Sequence, residues 1–208
     1  MIKVKRYIFT VCLLVILILP MFFGLYLEYL TIRKVSWLLV IIAIFSFIIL
    51  LFLVKIIEVF GYNQEIFSVL SEHDVLFALI NKNNKEIIWI FFPIIIITEE
   101  LMFRYYCIGF LVSSVKLGSL EAVFISSIIF ALYHIHIWFR FKNLRIFLIF
   151  LVFSFLLGLY TGYLVLYVGL IPCILVHYIV AFFSFYSLYK RYFSINDNKR
   201  KNFRFRKE

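Results

Sequence analysis

Long uncharged runs constrain this chain more than any other feature. Tyr7 to Leu27 and Val35 to Val54 each supply about 20 nearly uncharged residues, the length an α-helix needs to cross roughly 30 Å of hydrocarbon. Further runs follow, with no soluble interval between them long enough to fold alone. With 65% hydrophobic residues and only 15% charged, the composition lies outside the range of a soluble domain. The expected fold is all-α: a polytopic transmembrane helical bundle of about six spans. They are placed near residues 7–27, 35–54, 87–111, 120–138, 146–168 and 170–189. "MIKVKR" before the first run has the look of a secretory signal. The run is too long for one and ends in "GLYLEYL" without a small-residue cleavage site, so the first span is read as uncleaved.

The net charge of +10 speaks of topology before it speaks of nucleic acid, which is not an expected partner. Lys and Arg collect at Lys3, Lys5 and Arg6, at Arg140, Lys142 and Arg145, and at Lys190, Arg191 and the tail "NKRKNFRFRKE". Basic loops stay on the cytoplasmic side, so both termini are expected there, in a multi-pass protein of the cell membrane. The tail reads first as an orientation signal and second as a contact for anionic headgroups. Between the second and third spans, Ile66, Val69, Leu70, Leu76, Phe77 and Ile80 recur among charges. That spacing suits one amphipathic helix lying in the cytoplasmic interface, with membrane lipid as its partner. "NKNNKE" then leads into the third span. Three parts result: 1–86 with two spans and the interfacial segment, 87–190 with four spans, and a basic tail, 191–208. Cys12, Cys107 and Cys173 lie in apolar segments without CxxC spacing and read as packing residues.

Ionisable residues deep in the expected spans are few: Glu99, Glu100, Arg104, His134, His136 and His177. Charge at membrane depth is costly and usually has a partner and a task. Glu100 and Arg104 are four apart, hence on one helix face, where they can pair. Glu99 points about 100° away, with no obvious partner on its own helix. Pro93, shortly before, removes a backbone hydrogen bond and can kink the helix. His134 and His136 should face nearly opposite sides of the fourth span, and His177 stands on the sixth. Each histidine alone reads as a satisfied core residue, and the Glu–Arg pair alone as a packing device. Together, on three helices able to converge, they suit hydrolysis: burial and neighbouring cations act in opposite senses on a carboxylate, and their balance can leave it ready to take a proton from water. A second imidazole can donate to the oxyanion that forms.

"EELMFR" (Glu99 to Arg104) matches an EExxxR motif and "FALYH" (Phe130 to His134) an FxxxH motif, while His177 stands where a third motif places a histidine. Their order and spacing resemble the CPBP family of intramembrane proteases, which includes type II CAAX prenyl endopeptidases and bacteriocin-processing and immunity proteins. The resemblance covers roughly 87–190 and leaves the first two spans unsupported. It implies that Glu99 is the water-activating base with His134, that Glu100 holds Arg104, and that His177 helps to form the oxyanion site. It also selects His134 over His136, leaving the latter structural or interfacial. The implied activity is an intramembrane glutamate-type endopeptidase acting on a hydrophobic or lipid-modified peptide, or a prenylated protein.

One departure stands out. The family's third motif usually carries Asn or Asp four residues after the histidine, where this chain has Ala181, and Ser184 is displaced by nearly a turn. Loss of one oxyanion donor costs on the order of 100- to 1,000-fold in rate. The alternative function is therefore a weak or inactive relative acting as a bacteriocin-immunity or membrane scaffold protein, and a small transporter with a Glu99–His134 proton relay is a third reading. One Glu and two His could ligate Zn²⁺, but there is no HExxH and the resemblance points to a metal-free site, so no cofactor is expected. Counted from the cytoplasmic end, Glu99 would lie roughly 18 Å deep, with His134 much nearer that surface. The site closes only if a kink at Pro93 or a later start of the third span reduces the gap.

Overall fold

The structure, a computed structural model, describes residues 2–30, 36–81 and 86–205, without the side chains of 2–6, 64, 81 and 195–205. All the helices named here lie within these residues. Most of the "NKNNKE" cluster, the first outer loop around Arg33 and the side chains of the basic tail fall outside them.

Helix α1 (Ile2–Phe22) is followed by a short 3₁₀ turn at Leu27–Tyr29 and by α2 (Trp37–Gly61). Among the described residues four helices are long and apolar enough to cross a membrane: Trp37–Gly61, Ser119–Phe141, Leu144–Tyr167 and Leu170–Ser194. Tyr7–Phe22 forms a shorter apolar helix. Trp37, Leu38, Phe45 and Phe52 on α2 are largely exposed, as side chains facing lipid are. The protein is an all-α membrane bundle.

The expected third span is one helical run of changing winding. A π-helical stretch, Ile87–Phe91, leads into α5 (Phe92–Glu100), followed by a second π stretch, Leu101–Cys107, and α6 (Ile108–Ser113). Pro93 has no N–H to give to the turn before it, and the first π stretch lies at that turn. The second begins directly after Glu99 and Glu100 and carries Arg104.

The second helix continues past the expected end at Val54 to Gly61, carrying Lys55 and Glu58 with it. Lys55 Nζ lies 2.8 Å from Glu58 Oε2, a pairing that lets the charges enter the helix. The expected single interfacial helix is instead two, α3 (Gln64–Leu70) and α4 (Asp74–Asn81). Asn63 caps α3 by accepting from Ile66 N at 2.9 Å. Ile66, Phe67, Leu70 and Leu76 are buried against Ile137, Ile146 and Leu188 of later helices. This apolar face therefore covers protein rather than lipid; Phe77 alone of the core set is substantially exposed. Arg140 fixes the arrangement, donating to Asp74 Oδ1 at 3.2 Å and to the Glu72 carbonyl at 2.6 Å.

Helices α7 (Ser119–Tyr133) and α8 (Ile135–Phe141) meet at a break at His134, before α9 (Leu144–Tyr167) and α10 (Leu170–Phe205). Helix α7 packs closely on α9 because glycines face it. A Cβ on Gly162 would lie 2.7 Å from Val123 Cγ1, and one on Gly158 3.1 Å from Ser127 Cα. Such close approach is how membrane helices gain packing without a hydrophobic driving force. Helix α2 packs on α9 and α10 through Leu50, Leu157 and Val180, with Tyr160 OH donating to the Ala43 carbonyl at 3.0 Å. Helix α1 lies along the third run: Tyr7 stacks on Phe91, and the Tyr105 and Tyr106 hydroxyls donate to the Leu25 and Leu17 carbonyls.

Candidate functional site

At the core of the bundle α5, the second π stretch, α7, α9 and α10 place acid, guanidinium and imidazole side by side. Glu100 is fully buried, with its Oε2 3.5 Å from Arg104 Nε. Its Oε1 accepts from His177 Nδ1 at 2.5 Å, and Oε2 also accepts from Cys173 Sγ at 2.8 Å. A buried carboxylate is tolerable only when its oxygens are occupied in this way. Arg104, equally buried, donates from Nε to Thr161 Oγ1 at 2.7 Å, and its guanidinium lies 4.3 Å over the Phe130 ring. Arg104 Nη1 and Nη2 have no hydrogen-bond partner among the described residues.

Glu99 is partly accessible, with a side chain 12% exposed, and its Oε2 lies 3.9 Å from His177 Nε2. That distance is too long for a direct hydrogen bond. Since a carboxylate only accepts, the His177 proton facing Glu100 sits on Nδ1. In a neutral ring Nε2 is then an acceptor, and only the imidazolium donates from it.

His134 stands at the break between α7 and α8, where its backbone (φ −74°, ψ 6°) leaves the helical range. Its Nδ1 donates to the Phe130 carbonyl at 3.0 Å, so the neutral ring keeps a lone pair on Nε2. The Phe130 ring touches both imidazoles edge to face, at 5.0 Å from His134 and 5.8 Å from His177. The first residue of FxxxH thus sets the spacing between the histidines. Phe130 thus links His134 to His177, whose Nε2 in turn faces Glu99. His136 is exposed and bonded to the Tyr133 carbonyl at 3.0 Å. Its ring lies 5.7 Å from that of His134, not on the opposite side of a helix, because the helix is broken between them.

Residues 83–183 match the family model described as type II CAAX prenyl endopeptidase Rce1-like. Every group just described lies within them. Over these residues the helical core is similar to that family. No curated protein and no solved structure matches the chain. The Rce1-like match supports membrane proteolysis as the general activity.

Within the Rce1-like core Ala181 is buried with Val75, Phe92 and Ile96, in apolar packing. Ser184, just beyond the matched residues, gives its hydroxyl to the Val180 carbonyl at 2.8 Å and lines a cavity with Glu58. It is already engaged on its own helix. Among the described residues no three His, Cys, Asp or Glu side chains are grouped to hold a metal ion. Cys173, expected as simple packing, is a hydrogen-bond donor to Glu100. No sequence signal points to Thr161. A Thr inside an apolar helix is common, and only its proximity to Arg104 gives it meaning.

Proposed function

We propose that this Rce1-like protein is a glutamate-type intramembrane endopeptidase that hydrolyses a hydrophobic or lipid-modified peptide. Glu99 takes a proton from a water whose other hydrogen is held by His134 Nε2. The hydroxide adds to the scissile carbonyl carbon, and the oxygen that becomes an oxyanion accepts from the His177 imidazolium at Nε2. As the tetrahedral intermediate collapses, the C–N bond breaks and the leaving amine takes the proton from Glu99. Glu100 and Arg104 act as positioning residues: Glu100 holds His177, and Arg104 holds Glu100.

The observation that carries this reading is the division of labour between adjacent carboxylates. Glu100 is sealed among His177, Cys173 and Arg104, whereas Glu99 is partly accessible and faces the other nitrogen of His177. The orientation proposed places both termini in the cytoplasm of a cell-membrane protein. It is supported by Arg140, Arg145 and Arg191, which are anchored near the C-terminal end of α2 or at the start of α4.

The test uses the purified full chain in liposomes with a farnesylated CAAX peptide and an unmodified hydrophobic peptide. Glu99→Gln and His134→Ala are each expected to lower cleavage by roughly 100- to 10,000-fold, with insertion and helical content unchanged. Retained cleavage in either variant contradicts the assignment. Activity is expected to survive strong chelators, and its loss on chelation with recovery on adding Zn²⁺ would replace the metal-free mechanism.

A further inference from the structure

Away from the acid–imidazole cluster, the end of α2 meets α9 and α10 around a cavity of ≈ 60 Å³. Its wall is mainly apolar, with Val54, Ile57, Ile149 and Phe153, and two polar side chains enter it, Glu58 and Ser184. The Glu58 side chain is only 7% exposed and holds Lys55 Nζ through Oε2 alone. Its Oε1 is buried and has no hydrogen-bond partner among the described residues. A carboxylate oxygen taken out of water without a donor is costly, so such an atom marks a place where a donor is supplied from elsewhere. Burial, and after it the Glu58 carboxylate, pushes the Tyr62 phenol at the rim above its ordinary value. The phenol stays neutral, and the rim adds no second anion.

The charge pattern around the cavity has two signs. Inside stands an acceptor-only group; just outside, Lys55 is 63% exposed at its side chain and within reach of both Glu58 and Ser187 Oγ, the latter at 3.2 Å. An ammonium suits the first and a phosphate the second, with hydrocarbon along Val54, Ile57, Ile149 and Phe153. We propose that this cavity is a binding site for an aminophospholipid, whose primary ammonium sits on Glu58 Oε1 and whose phosphate faces Lys55. This site is independent of the catalytic reading, since none of its ligating groups belongs to the acid–imidazole cluster.

The test is native mass spectrometry of the full chain titrated with phosphatidylethanolamine, its N-acetyl derivative, phosphatidylglycerol and dodecylamine. Phosphatidylethanolamine is expected to bind one saturable site at least about 10-fold more tightly than its N-acetyl derivative, the scale of a charge-assisted hydrogen bond. Glu58→Gln should remove that preference and leave phosphatidylglycerol binding as in the wild type. Ile149→Trp, which fills the cavity and keeps Glu58, should also remove it. Equal binding of the two ethanolamine lipids, or a preference that survives Glu58→Gln, overturns the proposal. Dodecylamine binding without phosphatidylethanolamine binding overturns the lipid source, and no saturable binding at all means that the cavity holds only water. If Glu58→Gln fails to fold, the wild-type comparison of the ethanolamine lipids decides.

Discussion

At the scale of single residues, Glu100 is the hub on which the site depends. It binds His177, Cys173 and Arg104 at once, and Arg104 in turn rests on Thr161. Thr161→Val keeps the shape and removes the acceptor of a buried guanidinium. Thermal unfolding is expected to report a loss of about 1–3 kcal/mol, and cleavage should fall as Arg104 loosens its hold on Glu100. A wild-type stability would show that Arg104 does not need this partner. Ala181 allows a gain of function to be sought. Ala181→Asn places an amide four residues beyond His177, among Val75, Phe92 and Ile96. Burying the amide in apolar packing should cost about 1–3 kcal/mol, while a restored oxyanion donor should raise turnover by about 10-fold or more. A variant that is destabilised without being faster would mean that His177 alone sets the oxyanion site. Which ionisable residues deserve attention was legible in the sequence, because charge is rare in such spans. The involvement of Thr161 and Cys173 was not, because a hydroxyl or thiol in an apolar helix carries no signal until its neighbour is known.

At the scale of elements, the α7–α9 contact positions the site, since Phe130 comes from α7, His134 stands at its C-terminal end and Thr161 comes from α9. Gly162→Ala would bring a methyl within 2.7 Å of Val123 Cγ1, and the stiff Val side chain cannot step aside easily. A loss of about 1–3 kcal/mol is expected, largely recovered in the double variant with Val123→Ala. Additive losses in that pair would contradict the contact. The helices themselves followed from run length, but two features did not. The pattern of Ile66, Leu70 and Leu76 predicts an apolar face without saying whether lipid or protein covers it, and α3 and α4 turned out to pack on later helices. Glu58 lies beyond the expected end of the second span at Val54, where polar residues resume; the helix runs on because Lys55 neutralises Glu58 from within it.

At the scale of the whole molecule, the chain assembles its reactive groups from helices far apart in sequence and leaves its outer faces apolar, as a protein acting on substrates within the membrane requires. The central claim is that the partly accessible carboxylate of an adjacent pair does chemistry while its sealed neighbour holds the imidazole. The most direct measurement compares wild type with Glu99→Gln at equal expression in the native membrane, scoring small membrane peptides by mass spectrometry. The account predicts that at least one uncleaved hydrophobic precursor accumulates only in Glu99→Gln. Identical peptide profiles, with both proteins inserted and folded, would contradict it.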